Sequence, residues 1–447
     1  GRLYNNLNNS NSLAGWVFAP GDHTITWTYE DQTFPDEAAP GEVQQSFVLH
    51  VNDNQMPQAA CVGALTVQLN SSGTANIDYL DIDNGSTDNC GTLAAMHITR
   101  NVAYGKTASQ IDDGTWDCGN GTFGPAQNAV DGNTDGNFNN CSVTHTLSNS
   151  RPWWQVDLGA THTIYQVRIY NRTDCCPERL SDFYVLISDN EIPGPPADWG
   201  NPVWPADVKA HYFAGSAGGV EVFDIQAETG QFVRIWNGNN YLSLAEVEVF
   251  GSTSPSGNLT LNCDDVRYTP APDTGTPGVW DDAQGTFGAM RVLLTAIDDD
   301  GNTGSCATEV TVQDFVQPMV IPLNATVYLD NNGDIDLNNL VDDIDDGSSD
   351  ACGIAERWII PNTLNCLNTG NNNIRFYARD IYGNTAYRNA VIVLADSTRP
   401  VLSIQENIRL SLGDDGTFTI DPRVHFDDGT VDNCTAADQL VFEVTPE

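Results

Sequence analysis

Asp81-Ile82-Asp83-Asn84-Gly85-Ser86-Thr87-Asp88-Asn89-Cys90-Gly91 returns as Asp343-Ile344-Asp345-Asp346-Gly347-Ser348-Ser349-Asp350-Ala351-Cys352-Gly353, and again as His425-Phe426-Asp427-Asp428-Gly429-Thr430-Val431-Asp432-Asn433-Cys434. An acidic turn that recurs after strand-like runs marks a chain built of repeats. A second signature closes each unit: two alternating strands around an Asp-Gly-Asn-type turn, then Asp and Pro. Met290 to Pro318 carries Asp298-Asp299-Asp300-Gly301-Asn302 and ends Asp314-Phe315-Val316-Gln317-Pro318. Asn373 to Pro400 carries Asp380-Ile381-Tyr382-Gly383-Asn384 and ends Asp396-Ser397-Thr398-Arg399-Pro400. His23 to Pro57 is a looser copy ending Asp53-Asn54-Gln55-Met56-Pro57.

The closing prolines set the unit length. Pro318 to Pro400 is 82 residues, whereas Pro57 to Pro318 is 261. Most of the 179-residue excess lies between Arg100 and Gly251, where the repeat pattern stops. This reads as a second domain inserted into the first full repeat, at a loop whose ends lie close together. Short alternating strands every ~8–12 residues, punctuated by Gly, Asn and Asp, predict β-sandwich modules. The expected domains are 1–56, part of one repeat; 57–100 with 253–317, a discontinuous repeat; 101–252, the insertion; 318–399, a repeat; and 400–447, part of a further one. Both ends fall inside modules, so the chain reads as a segment of a longer polypeptide with further repeats.

Composition narrows the function classes. Eighteen Lys and Arg against 60 Asp and Glu give a net charge of −42, a field that repels nucleic acid and anionic membranes and suits hard divalent cations such as Ca²⁺. Forty aromatic residues among Trp, Tyr and Phe supply several cores. No run of ~20 apolar residues exists to span a bilayer. Eleven cysteines without a C-x-x-C pair suggest an oxidising, extracellular setting rather than a zinc or thioredoxin site. Repeat arithmetic pairs Cys61 with Cys306, Cys90 with Cys263 across the neck of the insertion, and Cys352 with Cys366. Cys118 with Cys141, and Cys175 with Cys176, are left inside the insertion, and Cys434 is left over.

The flanking modules resemble the HYR-like and immunoglobulin-like repeats of large bacterial surface adhesins, on the strength of the Gly-Ser-x-Asp-x-Cys turn and the Asp-x-x-x-Pro junction. The insertion has the marks of a jelly roll, with strand-like runs at Pro152–Gly159, Ile164–Tyr170, Phe183–Ile187, Phe232–Trp236 and Glu246–Gly251. It resembles an F-type lectin (fucolectin) of the discoidin-like, F5/8 type C superfamily. The residues that carry the resemblance are Asn101-Val102-Ala103-Tyr104-Gly105-Lys106, Ala129-Val130-Asp131-Gly132-Asn133, Pro152-Trp153-Trp154, Arg172-x-Asp-Cys-Cys-x-Glu-Arg179 and Glu246-Val247-Glu248-Val249-Phe250-Gly251. The whole is therefore expected to be all-β: tandem immunoglobulin-like β-sandwich repeats with an inserted discoidin-like β jelly roll.

The resemblance implies a sugar site. The family's triad of one His and two Arg falls on His145, Arg172 and Arg179, spaced 27 and 7 residues apart. Guanidinium groups donate and a neutral imidazole donates or accepts, which suits sugar hydroxyls. Asp174 and Glu178 are expected to orient the arginines, a Cys175–Cys176 ring to pack on the sugar's flat face, and Phe138 to meet the methyl of fucose. A structural Ca²⁺ is implied on Asn128, Asp131, Asn133, Ser142 and Glu246. The acidic turns suggest further Ca²⁺ at Asp81, Asp83 and Asp88 and at Asp343, Asp345 and Asp350, although Asx-turns alone also explain them. The family cysteine before its last-strand Glu is Ala245 here, so Cys118, in the Gly-rich loop Asp112–Gly124, reads as the substitute partner of Cys141. A second loop, Asn190–Gly200, also departs from the pattern.

The reading is a non-enzymatic, extracellular, cell-surface adhesin segment that displays a lectin for fucosylated glycans on a repeat stalk. The alternatives are an accessory region of a secreted glycosidase and a purely structural filament. No motif singles out a catalytic carboxylate pair.

Overall fold

The computed structural model describes residues 2–30, 42–114, 117–118, 121, 123–148, 151–192, 199, 202–254, 256–269 and 286–445. Strands account for 48% of the chain and helices for 8%, which makes the class all-β. Parts of the Asp112–Gly124 and Asn190–Gly200 loops, and of the His23–Pro57 hairpin, lie outside the described residues.

The chain divides into two compact units. One is Gly1–Val67, Asn76–Leu261 and Ala289–Thr311; the other is Gln68–Ala75, Asn262–Gly288 and Val312–Glu447. The insertion thus shares a unit with much of its host repeat. The main sheet runs in the order Lys209–Ser216, Ser181–Ser188, Val220–Trp236, Trp153–Asn171, Leu244–Ser252 and Leu93–Asn101, then on into the host strands. The entry strand Leu93–Asn101 and the exit strand Leu244–Ser252 pair antiparallel, Asn101 opposite Phe250 and Arg100 opposite Gly251. Residues 100–101 and 250–251 therefore lie side by side.

Trp153–Asn171 is one strand where the sequence suggested two. Gly159 takes φ +82° and the chain is exposed from Gly159 to Thr161, which separates two buried runs within one element. Its partner Val220–Trp236 shifts register between Asp224 and Glu228 and again between Gly230 and Phe232. The core between the layers includes Trp154, Val156, Ile169, Leu180, Phe183, Ile235 and Val247, all fully buried. Each such side chain stabilises by roughly 1.5–3 kcal/mol relative to exposure. The insertion meets its host through Tyr165, Phe250 and Leu293, and through Arg291, whose Nη1 donates to Glu248 Oε2 at 2.8 Å.

The repeats are visible as a recurring bridge pattern. Gln58 pairs with Thr87 and Cys61 with Asp83; Met319 with Ser349 and Pro322 with Asp345; Val401 with Val431 and Ile404 with Asp427. In the second unit, Ala325–Tyr328 runs parallel to Thr385–Ala395, which is followed in the sheet by Gly370–Asp380 and Ile354–Ile360. Leu337, Ile344, Phe376 and Ile392 fill its core.

Four disulfides form. Cys61–Cys306 and Cys118–Cys141 are those expected. Two expected pairs are overturned: Cys263 bonds Cys352 rather than Cys90, and Cys366 bonds Cys434 rather than Cys352. The cysteines of the second and third acidic turns, Cys352 and Cys434, join the preceding repeat instead of closing on their own. Two glycines make room, because a Cβ on Gly73 would lie 2.8 Å from Cys263 Sγ and one on Gly333 would lie 2.5 Å from Cys366 Sγ. Cys434 is therefore paired, and Cys90 is an exposed free thiol. The reason lies one repeat upstream. Asn262 and Asn365 cap the short turns that begin at Cys263 and Cys366 by accepting from the amides of Asp264 and Leu367 at 2.9 and 3.0 Å. Asn5 accepts from the Leu7 amide at 2.9 Å in the same way, but the next residue is Asn6, which has no sulfur to offer Cys90.

Candidate functional site

The long strand delivers Arg172 at its end. Asn171 anchors the turn, its amide donating to the carbonyls of Pro177 (2.9 Å) and Gly218 (3.2 Å) while its Oδ1 accepts from Arg172 N at 2.8 Å. Arg172 is 9% exposed and donates to Asp174 through both Nε (2.7 Å) and Nη2 (2.9 Å). This fork fixes the guanidinium plane. Asp174 Oδ1 also accepts from Phe138 N at 3.1 Å. The bond to Arg172 holds the Asp174 carboxyl below its usual range and raises Arg172 in return. The Arg172 guanidinium lies 4.6 Å from the centroid of the buried Phe138 ring.

Arg179 ends the short 3₁₀ turn Pro177–Arg179 and donates its amide to the Cys176 carbonyl at 3.0 Å. The fully buried Asn237 ties the Arg179 carbonyl (2.7 Å) to that of Tyr241 (2.6 Å). The Arg179 guanidinium sits 4.5 Å from the Tyr241 ring centroid, and its Nη1 lies 3.4 Å from His145 Nε2.

His145 is 5% exposed and clamped through its backbone: its N donates to Gly124 O at 2.8 Å and its O accepts from Gly114 N at 2.7 Å. Its ring faces Phe138 at 5.5 Å and Tyr241 at 6.0 Å between centroids. Burial first, then the charges of Arg172 and Arg179, hold the imidazole below its usual range, so it is neutral at pH 7. An Arg179 N–H faces Nε2, which assigns the ring proton to Nδ1 and leaves Nε2 the acceptor. The three residues read from spacing thus come together around Phe138 and Tyr241.

Two expectations change. Cys175 and Cys176 carry free thiols rather than a mutual bond. Neighbouring Cα atoms are about 3.8 Å apart across a trans peptide, short of the ~4.4–6.8 Å that disulfides usually span. The pair is half-buried beside Arg172, and burial pushes the Cys175 thiol up. Glu178 is exposed and forms no ion pair with Arg179 among the described residues; its carbonyl accepts from Asn239 Nδ2 at 3.3 Å. Arg179 is instead held by Tyr241 and Asn237, which sequence reasoning missed because nothing in Asn237-Gly238-Asn239-Asn240-Tyr241 marks it as a site wall. The clamp by Gly114 and Gly124 was also missed, although both lie in the loop already marked as departing from the family.

The residues implied for Ca²⁺ also gather. Gly132 N donates to both oxygens of Glu246 at 3.2 Å, and Glu246 is 1% exposed. Asp131 Oδ1 accepts from Asn133 N at 2.8 Å, and burial pushes the Asp131 carboxyl up. Asn128 Nδ2 donates to the carbonyls of Cys141 (2.9 Å) and Val143 (3.2 Å), and Ser142 Oγ to Asp135 O (2.5 Å). Two carboxylates, the buried Glu246 and the exposed Asp131, among oxygen donors fit a hard cation. The two repeat triplets do not form sites as read. Asp81 accepts from Asp78 N in a capping box, Asp83 from Ser86, and Asp345 from Ser348 N while also pairing with Arg357. Each caps its own turn, and Asp343 lies in the short helix Val341–Ile344. Only Asp88 and Asp350 join clusters, with other partners.

Residues 128–235 match the family described as F5/8 type C, NedA-like, galactose-binding domain. Fucolectin-6 of Anguilla japonica is 43% identical over 96 residues, 21% of this chain and 50% of its own length. Residues 128–235 are thus similar to F5/8 type C, discoidin-like domains and to fucolectins. The chain spans about half the length of this curated relative and less of others. A Streptococcus pneumoniae fucose binding module is 34% identical, with 34% of this chain and 95% of that chain covered, at a TM-score of 0.28. The lectin domain of lectinolysin, solved with Lewis B antigen, is also 34% identical, with 34% of this chain and 97% of that chain covered, at a TM-score of 0.28.

Proposed function

We propose that this chain binds fucosylated glycans through His145, Arg172 and Arg179, and serves as a segment of an extracellular surface adhesin in which repeats carry the lectin domain. The carrying observation is the convergence of a neutral, buried His145 with Arg179 at 3.4 Å, beside an Arg172 locked by Asp174. Arg172 and Arg179 donate to the ring and hydroxyl oxygens of the sugar, while His145 Nε2 exchanges its 3.4 Å contact with Arg179 for a sugar hydroxyl. Phe138 and Tyr241 wall the site with apolar faces. Burying the 6-methyl of fucose against one of them adds ~1 kcal/mol over a sugar that carries a hydroxyl there. The fucolectins and the fucose-binding module named above support this ligand class.

Calcium belongs to the same reading. Asp131 and Glu246, with oxygens of Asn128, Asn133 and Ser142, would hold it, and its charge would fix the turn that precedes Phe138. Single lectin sites bind weakly, so adhesion would come from many copies.

Titration of the chain with L-fucose and with galactose tests the proposal, each with and without EDTA. Fucose should bind more tightly, Arg172→Ala should abolish binding while the chain stays folded, and EDTA should lower the melting midpoint. A folded wild type that binds neither sugar overturns the lectin reading; galactose preferred over fucose overturns the fucose reading; a midpoint indifferent to EDTA overturns the calcium.

A further inference from the structure

Two acidic clusters stand outside the lectin domain and occupy the same place in successive repeats. In the first unit, Asp53, Asp88 and Asp298 bring carboxylate oxygens within 4.8 Å of one another. In the second, Asp314 and Asp350 do so beside the Cys352 sulfur, which its bond to Cys263 removes as a ligand. The members correspond. Asp53 and Asp314 begin the Asp-x-x-x-Pro run that closes a repeat; Asp88 and Asp350 end the acidic turn of the next; Asp298 and Asp380 lead that repeat's hairpin turn.

The supporting bonds recur as well. Asp298 accepts from Asn302 Nδ2 at 2.8 Å, and the same amide donates to the Asp53 carbonyl at 3.1 Å. Asp380 accepts from Asn384 Nδ2 at 2.7 Å, and that amide donates to the Asp314 carbonyl at 3.0 Å. Asp298 and Asp380 are thereby engaged by their own turns. Asp314 is not: it is 1% exposed, its Oδ1 accepts from Val316 N at 2.9 Å, and its Oδ2 has no partner. Asp88 repeats this, with Oδ2 accepting from Cys90 N at 2.9 Å and a buried Oδ1 without a partner. No Lys or Arg pairs with any of these six carboxylates among the described residues. A buried carboxylate oxygen with no donor is costly, and a second carboxylate alongside raises the cost.

We propose that each repeat junction holds one Ca²⁺: one on Asp53, Asp88 and Asp298, the other on Asp314 and Asp350 with Asp380 behind them. All ligands are oxygens, the local charge is uniformly negative, and carboxylates with flexible geometry favour Ca²⁺ over the octahedral Mg²⁺. Each ion ties the closing Asp of one repeat to the acidic turn of the next, so the junction stiffens when calcium is present. Among the acidic-turn aspartates the last of each repeat, Asp88 or Asp350, is the ligand, while Asp81, Asp83 and Asp345 engage their own turns. The inference does not depend on sugar binding.

Calcium bound per chain, measured by equilibrium dialysis at about 1 mM Ca²⁺, the range of extracellular modules, tests it. The chain used carries Asp131→Asn and Glu246→Gln, which removes the lectin cation. Two ions per chain are expected; Asp314→Asn should leave one, and Asp53→Asn together with Asp314→Asn none. Asn preserves side-chain volume, and Asp350→Asn provides a second variant at the same junction should Asp314→Asn unfold. No bound calcium in the lectin-blocked chain, as when the clusters merely share protons, overturns the proposal. So does a count unchanged in every folded junction variant.

Discussion

Replacing Gly114 with Ala tests the site through one atom. The new Cβ would lie 2.7 Å from His145 Nδ1, 2.9 Å from His145 O and 3.3 Å from its Cγ. Ordinary contact begins near 3.4 Å, so the imidazole must retreat by about 0.7 Å. It has little room, with Gly124 O on its amide at 2.8 Å, Arg179 at 3.4 Å and Phe138 at 5.5 Å between ring centroids. Overpacking of this kind costs about 1–3 kcal/mol of stability. Losing one imidazole–hydroxyl bond costs about 1.5 kcal/mol of binding, close to tenfold in affinity. Calorimetric titration with L-fucose and scanning calorimetry read the two effects separately. Gly63→Ala is the control, because its Cβ meets nothing within 4 Å. It should change neither reading by more than about 0.5 kcal/mol. Adding His145→Ala to Gly114→Ala should then cost little further affinity, since both act through one group. Wild-type fucose affinity in a folded Gly114→Ala chain would refute the clamp.

Two further outcomes follow from the same geometry. Burial, and then the two arginines, hold the His145 imidazole below its usual range, so the folded state binds fewer protons than the unfolded one. Its contribution is complete above pH 6.5 and is lost as pH falls through the depressed folded value. Fucose affinity should therefore drop as pH falls through that depressed value, and an affinity unchanged down to the onset of acid unfolding would count against His145 as the acceptor. Cys118→Ser with Cys141→Ser opens a link between residues 23 apart. It should cost about 3 kcal/mol by loop entropy and weaken fucose binding as the loop bearing Gly114 and Gly124 loosens; unaltered binding at a lowered melting midpoint would show that the loop does not hold His145.

Much of the site was legible because its spacing is local. Arg172, Asp174 and Arg179 lie on one turn, and the strand that ends at Asn171 fixes where that turn begins. Phe138 and His145 are likewise joined by a short run. Tyr241 was not legible, because its ring meets the Arg179 guanidinium from far along the chain, on a loop held by Asn237. The disulfides show the same division. Cys61–Cys306 and Cys118–Cys141 follow from domain boundaries, whereas Cys263–Cys352 and Cys366–Cys434 depend on which repeat face meets the next.

By itself the sequence determined the repeat period, the break in it between Arg100 and Gly251, and the spacing of His145, Arg172 and Arg179, because periodicity and short spacings are written along the chain. Only the tertiary structure decided which carboxylates meet. Asp83 and Asp345 satisfy their own turns, while Asp88 and Asp350 reach aspartates from neighbouring repeats. All four look alike in the acidic run. Placement separates them: Asp83 and Asp345 engage their own turns through Ser86 and Ser348, whereas Asp88 keeps a buried Oδ1 without a partner beside Asp53 and Asp298, and Asp350 lies beside the unpartnered Oδ2 of Asp314.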